Sequence, residues 1–148
     1  MGAVTSALYS RDILRLAASI PHHARLERAQ ASVEKSSPVC GSRVVVDIVT
    51  DEQGRIAALG LEVRACALGQ ASAALMGAHA IGRRAAELAE AREALAGYLA
   101  GARGDPGDWP GLGVFAEARR FTARHPSILL AFEAAAEAAS QAERAHAA

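Results

Sequence analysis

A run of alternating β-branched residues constrains the fold of this chain more than any other feature. Such residues occupy every second position from Val44 to Ile48, a period-two pattern typical of a strand with one well-buried face. Residues 51–54 (Asp-Glu-Gln-Gly) predict a hairpin turn with glycine where a positive φ is needed, and Arg55 to Val63 predict the returning strand. Ala29 to Lys35 predict a first strand, joined to the second by the turn Ser36 to Gly41. Together these segments indicate a three-stranded antiparallel sheet.

Helical spacing of apolar residues predicts helices on both sides of the strands. The predicted helices run from Ala7 to Ser19 before the strands, and from Leu68 to Ala80, Ile81 to Gly101, Val114 to Phe121 and Pro126 to Arg144 after them. Alanine, which is abundant after Arg64, favours helices and their close packing. We therefore expect a single α+β domain over residues 1–148, with its core from about 7 to 140. An N-terminal helix and a three-stranded antiparallel sheet would be followed by a group of about four helices.

Composition and charge exclude several classes of function. Sixteen basic and sixteen acidic side chains give a net charge of zero, which argues against a partner recognised through a basic field, either nucleic acid or anionic lipid. The sequence contains no apolar run long enough to span a membrane and no export signal at its start. Two cysteines are too few for a disulfide framework. We therefore expect a cytoplasmic, reduced protein that binds neither nucleic acid nor membrane.

The two cysteines occupy positions suited to ligand binding. Cys40 lies in the predicted turn between strands, directly before Gly41, and Cys66 lies where the third strand gives way to a helix. A turn glycine lets backbone N–H groups approach a sulfur ligand, and a helix N-terminus stabilises a thiolate. The alternative is that each cysteine is a small buried apolar residue. His125, directly before the last predicted helix, is a further candidate donor, and no known catalytic motif suggests an enzyme.

Three blocks of sequence resemble the U-type iron–sulfur cluster assembly scaffolds, the group that includes IscU, SufU and the N-terminal domain of NifU. Leu8-Tyr9 with Ile13-Leu14, followed by SPVCGS at 37–42, is similar to the family's LY…IL helix and NPxCGD turn. ACALGQASA at 65–73 is similar to GCAISQASAS, which carries the family's second cysteine at a strand-to-helix junction. FTARHPS at 121–127, followed by LAF at 130–132, resembles the SufU pattern FPARxKCxxLAW. The resemblance implies the α+β fold of these proteins, called SufE/NifU-like.

The resemblance also implies a site, and this chain departs from it in two places. Cys40 and Cys66 match the first and second family cysteines, with His125 as a candidate third donor. The family's CGD aspartate is Ser42 here, and the third cysteine falls on Ser127, or on Pro126 if the IscU register is used. We prefer Ser127 because the residues around it then match. Serine hydroxyls are poor ligands for iron or zinc at neutral pH. The implied cargo is a labile [2Fe–2S] cluster or iron, alternatively zinc.

Two hypotheses follow from this altered site. In the first, the protein is a scaffold or sulfur acceptor that works with a cysteine desulfurase and with cluster-accepting proteins, and the question of a homodimer stays open. Because iron–sulfur and zinc sites usually have four ligands, solvent, a small thiol or a second chain would complete the shell. In the second, the chain is a degenerate homologue that binds no metal and acts as an interaction module in the same assembly system. The retained cysteines favour the first hypothesis, and the missing aspartate and third cysteine favour the second.

Overall fold

The computed structural model describes residues 8–38 and 41–147 and confirms the predicted α+β class. The elements in chain order are α1 (Arg11–Ala17), β1 (Ala31–Ser37), β2 (Ser42–Thr50), β3 (Ile56–Arg64), α2 (Ala67–His79), α3 (Ala85–Leu99) and α4 (His125–Ala147). Two 3₁₀ helices, Leu112–Arg120 and Thr122–Arg124, lie between α3 and α4. The third of the four helices predicted after the sheet is therefore a 3₁₀ helix rather than an α-helix.

The sheet is an antiparallel meander of order β1-β2-β3, as the alternation predicts. Val46, in the middle of the central strand, pairs with Val33 on one side and with Leu61 on the other. The first strand begins two residues later than predicted and continues to Ser37. At the β2–β3 hairpin, Asp51 accepts two backbone hydrogen bonds and Gly54 has a φ of 79°. This turn therefore has the glycine conformation that its sequence requires.

The inner face of the sheet is covered by helix α4, which packs on β1 and β2 and is itself flanked by α2 and α3. Fully buried alanines on α4, including Ala131, Ala135 and Ala138, keep the helix close to its neighbours, and Phe132 fills the space between them. The prediction of close, small-residue helix packing is therefore confirmed. Within residues 8–38 and 41–147, no helix combines the length and apolar character needed to cross a membrane.

The outer face of the sheet is also buried, which the sequence did not predict. Asp47, on the central strand, has a fully buried side chain that accepts two hydrogen bonds from Arg25, one from the Leu26 N–H and one from Ser32. Burial alone would raise the pKa of Asp47, but these donors hold it below its ordinary value. The loop between α1 and β1 also packs closely on Gly60 of β3. A Cβ added at Gly60 would lie only 2.8 Å from the Leu26 nitrogen. This segment is thereby held across the outer face of the sheet.

The N-terminal helix differs from its prediction. Its expected first residue lies outside the described part of the chain, and α1 begins only at Arg11, because the Ser10 side chain accepts a hydrogen bond from the Ile13 N–H and caps the helix. Helices from both ends of the chain were expected to cover one face of the sheet, but α1 packs mainly against α2. The cover of the inner face therefore comes mainly from the C-terminal half of the chain.

Candidate functional site

The turn between β1 and β2 opens the candidate site. The Gly41 N–H donates to the Ser37 carbonyl at 2.9 Å, which closes the turn. Gly41 has a φ of 71°, in the left-handed region that favours glycine. Cys40, a predicted ligand, lies outside the described residues. Ser42 follows Gly41 as the first residue of β2 and is 1% exposed.

Cys66 lies at the predicted junction, between the end of β3 and the start of α2. It is the N-cap residue of α2, with extended backbone (φ −67°, ψ 172°), and its side chain makes no capping hydrogen bond. The thiol is half-buried and not in a disulfide. No acidic residue occupies the first turn of α2. Cys66 is thus partly exposed and lies at the positive end of a helix dipole, where an anionic ligand atom is favoured.

The first turns of α2 and α4 touch each other beside Cys66. A Cβ on Gly69 would be 2.8 Å from the Ala65 Cβ and 3.3 Å from the Ser127 carbonyl oxygen. One turn further along α2, the buried Ser72 hydroxyl donates to the Ile128 carbonyl at 2.5 Å. Only a glycine at position 69 leaves room for the close approach of α2 to Ser127 at the start of α4. The N-termini of α2 and α4 therefore meet at one end of the sheet, where β3 ends and β2 begins.

Ser42 and Ser127 meet at the same end of the sheet. They occupy the other two positions at which the family has ligands. Their hydroxyl oxygens lie 3.4 Å apart although 85 positions separate them in sequence, and either hydroxyl can donate. Each residue is 1% exposed. Both side chains are therefore turned into the protein and contact each other.

A third serine belongs to this cluster, and sequence reasoning gave it no role. Ser37 pairs directly with Ser42 across β1 and β2, so the two side chains lie on the same face of the sheet. It is 3% exposed, and its hydroxyl has no hydrogen-bond partner in the part of the chain that the structure describes. The available signal was its position in the SPVCGS block, where the family has asparagine. We call Ser37, Ser42 and Ser127 the serine cluster.

His125 is the first residue of α4, one residue before the predicted start at Pro126, and its Nε2 lies 2.9 Å from the Ala118 carbonyl oxygen. Since a carbonyl only accepts, Nε2 carries the proton in this contact and Nδ1 is left with its lone pair. A hydrogen bond from the second ring nitrogen to a backbone carbonyl is common in metal-binding histidines. In the neutral ring, Nδ1 is therefore the nitrogen whose lone pair is left for a metal.

Basic side chains flank the site on three elements. Arg43, next to Ser42, forms ion pairs with Glu34 and Glu62, which raise the pKa of Arg43, while Arg43 in turn lowers the pKa of Glu34. Arg64 is exposed two residues before Cys66, and Arg124 is half-buried directly before His125. Neither Arg64 nor Arg124 is paired with an acidic side chain among residues 8–38 and 41–147. Because Glu34 and Glu62 offset the charge of Arg43, the positive charge left near Cys66 and His125 in the described part of the chain is that of Arg64 and Arg124.

The described donors are too few to bind a metal by themselves. Among residues 8–38 and 41–147, no group of three or more His, Cys, Asp or Glu side chains is placed to hold a metal ion. Cys66 provides one soft sulfur ligand and His125 one imidazole nitrogen, whereas Ser42 and Ser127 provide hydroxyls. Because Cys40 lies outside the described residues, the structure leaves the predicted two-cysteine ligand set as a prediction.

Comparison with known proteins places this fold among solved structures. A putative iron–sulfur cluster assembly scaffold protein for the SUF system from Fervidobacterium islandicum AW-1 superposes with a TM-score of 0.83 at 22% identity, over 91% of this chain and 98% of that chain. A hypothetical protein superposes with a TM-score of 0.71 at 21% identity, with the same coverage. At these identities the likeness shows the fold alone. No protein-family model and no curated protein matches the sequence.

A third solved structure is similar in sequence as well as in fold. The nitrogen-fixing NifU-like protein (N-terminal) from Brucella abortus superposes with a TM-score of 0.88 and is 33% identical. The alignment covers 95% of this chain and 98% of that chain. This extent of identity over nearly the whole of both chains confirms the resemblance in the three sequence blocks. The chain therefore belongs to the NifU-like family of U-type iron–sulfur cluster assembly scaffolds.

Proposed function

We propose that this protein is an iron–sulfur cluster assembly scaffold or sulfur acceptor, which receives iron and sulfur at Cys40 and Cys66 and hands on a labile cluster. The iron and sulfur are cargo, so we expect binding and transfer without catalytic turnover. One observation carries the proposal: the N-terminus of α2, where Cys66 is the N-cap residue, lies next to Ser42 and Ser127 at one end of the sheet. These are three of the positions at which the family resemblance places the ligands.

The surroundings of Cys66 support a role in binding rather than in packing. Cys66 is half-buried, makes no capping hydrogen bond and lies at a helix N-terminus two residues after Arg64, which has no acidic partner among residues 8–38 and 41–147. A cysteine kept only for packing would be expected deep in the core, where free cysteines are usually found. For sulfur acceptance, a cysteine thiolate attacks the terminal sulfur of a donor persulfide, forms a new S–S bond and releases the donor thiolate. The donor would be a cysteine desulfurase, and cluster-accepting proteins would follow.

A second candidate function is favoured by the serine cluster. Ser42 and Ser127 are buried and contact each other, so this chain has replaced two family ligands with a pair of hydroxyls. A degenerate homologue that binds no metal would keep the fold and the partner surface and would tolerate this change. Zinc, which takes sulfur and nitrogen ligands, is the alternative cargo if a metal is bound.

Anaerobic purification with measurement of iron, acid-labile sulfide and zinc separates these functions. The parent should bind metal or cluster, and Cys66→Ala should bind none because at most one cysteine thiolate is left. Ser127→Cys should hold metal or cluster longer against a chelator than the parent, since it restores a third thiolate at a helix N-terminus. Pro126→Cys, one residue away, is the matched control and should help less. If parent and Ser127→Cys both bind nothing, the degenerate-homologue function is correct.

A further inference from the structure

The orientation of the His125 ring depends on a single atom, the Ala118 carbonyl oxygen at the end of the first 3₁₀ helix (Leu112–Arg120). This oxygen accepts from the His125 Nε2–H and from the Phe121 N–H, each at 2.9 Å. Carbonyls in the last turn of a helix have no partner further along that helix, so they are open to such donors. In the described part of the chain, no second hydrogen bond to the His125 ring is formed. The place of this oxygen therefore determines which nitrogen of the neutral ring carries the proton.

Arg119, the residue after Ala118, ties this end of the 3₁₀ helix to α3. Its Nε donates to the Tyr98 carbonyl at 2.8 Å, and its Nη2 donates to the Arg103 carbonyl at 3.1 Å. Its guanidinium also lies over the Tyr98 ring, with Cζ 4.3 Å from the ring centroid. Tyr98 belongs to the last turn of α3, where a basic group is favoured and where α3 has none of its own. Three contacts of one side chain therefore fix the backbone directly beside Ala118.

The neighbouring Arg120 makes contacts of a different kind. Its Nη2 donates to Glu117 at 3.1 Å, three residues earlier on the same helix, and its guanidinium lies over the ring of the next residue, Phe121. Arg119, by contrast, forms no ion pair among residues 8–38 and 41–147. Its charge is directed at two backbone carbonyls, one in the last turn of α3 and one just after that helix. Of these two arginines, therefore, Arg119 connects the end of the 3₁₀ helix to α3, and Arg120 makes only local contacts.

We propose that Arg119 is a positioning residue for His125. It holds the Ala118 carbonyl where this oxygen accepts from Nε2, and the lone pair of Nδ1 is thereby left for the cargo. The inference rests on the proposed function, in which His125 is a candidate third donor. A histidine that binds a metal usually donates its other ring N–H to such an outer partner, and loss of the partner lowers metal affinity by about 10–100-fold. Because Arg119 acts through the Ala118 carbonyl, we expect its removal to cost about 10-fold.

The test uses the metal-free full chain and nitrogen-15 NMR of the histidine rings at about pH 8.5, where an ordinary histidine is neutral. His125→Gln identifies the His125 signals among those of the five histidines. In the parent we expect a protonated Nε2 whose proton exchanges slowly with water, because it is hydrogen-bonded to the carbonyl of a buried residue. Arg119→Ala should speed this exchange and shift both ring nitrogens towards the values of a short histidine peptide. Arg119→Lys keeps the charge without the planar fork and should give intermediate values.

Two controls separate positioning from a general loss of structure. Arg120→Ala removes a guanidinium from the same helix and should leave the His125 signals as they are in the parent. The Trp109 indole N–H, which donates to the Leu75 carbonyl in the core, should keep its signal in every variant that folds. Unchanged His125 signals in Arg119→Ala, or an equal change in Arg120→Ala, would overturn the inference. If the alanine variant does not fold, Arg119→Lys decides the question, and His125 signals equal to the parent's would then overturn it.

Competition with a chromophoric chelator then measures zinc binding by the same variants. Arg119→Ala should bind zinc about 10-fold more weakly than the parent, whereas in a His125→Gln background it should cause no further loss. A further loss in that background would overturn the inference, because Arg119 would then act independently of the ring. Changed His125 signals with an unchanged zinc affinity would overturn it as well. A parent that binds neither zinc nor iron would reject the proposed function, while the NMR comparison would still decide whether Arg119 orients His125.

Discussion

Replacement of Asp47 by asparagine tests the outer face of the sheet, because it keeps the shape of the side chain and removes its charge. Oδ2 accepts from the Arg25 Nε (2.7 Å) and the Leu26 N–H (2.9 Å), and Oδ1 accepts from the Arg25 Nη2 (3.1 Å) and Ser32 (2.6 Å). An asparagine fits best with its amide nitrogen at the Oδ1 position. In that position the Ser32 hydroxyl can rotate and accept a hydrogen bond from the amide nitrogen. The Arg25 Nη2, however, then faces a second donor and loses its hydrogen bond.

The expected loss of stability follows from this geometry. One charge-assisted hydrogen bond disappears, at about 1.5–3 kcal/mol, and the remaining bonds lose their ionic character. Because the Arg25 side chain is 47% exposed, its guanidinium regains water, and the cost stays below that of a fully buried broken pair. We expect Asp47→Asn to lower the free energy of unfolding by about 2–4 kcal/mol at pH 7, measured by urea denaturation.

The pH dependence of this loss has a definite sign. The pKa of Asp47 is lowered in the folded protein, so its contribution is complete above the unfolded value of about 3.9 and declines as pH falls through the folded value. The difference between parent and Asp47→Asn should therefore be constant from pH 5 to 7 and narrow below about pH 4. Asp12→Asn, in an exposed pair at 3.9 Å, is the matched control and should change stability by less than about 0.5 kcal/mol. A constant difference down to pH 3, or none at pH 7, would refute the reasoning.

Two further substitutions test the packing beside the site and in the core. Gly69→Ala should lower the free energy of unfolding by about 1–3 kcal/mol, because the added methyl group overpacks against Ala65 and Ser127. The higher helix propensity of alanine offsets about 1 kcal/mol of this loss. A variant that is more stable than the parent in urea denaturation would contradict the close contact. Trp109→Phe should cost about 1–3 kcal/mol, because it removes the hydrogen bond to the Leu75 carbonyl (2.9 Å) and weakens the cation–π contact with Arg83. Since Trp109 is the sole tryptophan, far-ultraviolet circular dichroism follows this unfolding, and an unchanged midpoint would count against the role of that bond.

The sheet could be predicted from local sequence, but its outer face could not. The alternation from Val44 to Ile48 and the glycine at position 54 carry their own conformational preferences, so strands and hairpin appear where expected. Burial of Asp47 depends on Arg25, which lies 22 residues earlier in the sequence. No local pattern announces such a pairing, and a lone aspartate in a strand suggests a solvated face.

The candidate site shows the same division between local and distant information. The position of Cys66 at the start of α2 follows from the change of periodicity after β3. The meeting of Ser42 and Ser127 across 85 positions was expected only from the family resemblance, because contacts at this separation leave no mark in local propensity. The burial of the Ser37 hydroxyl was not predicted, because it arises from tertiary packing around the paired strands β1 and β2 and not from the local sequence.

Replacing Ser42 by the aspartate that the family has at this position should make the stability of the fold depend on bound metal. Ser42→Asp places a charge at a position that is 1% exposed, beside the Ser127 hydroxyl, so without metal the variant should be less stable than the parent. Added zinc supplies the missing positive charge and binds the folded state, so it should raise the melting temperature of Ser42→Asp more than that of the parent. Ser42→Asn has nearly the same shape without the charge, and zinc should shift its melting temperature no more than the parent's. An equal zinc-induced shift in the Asp and Asn variants would mean that residue 42 does not face the metal, and the carboxylate's absence would then not explain a labile site.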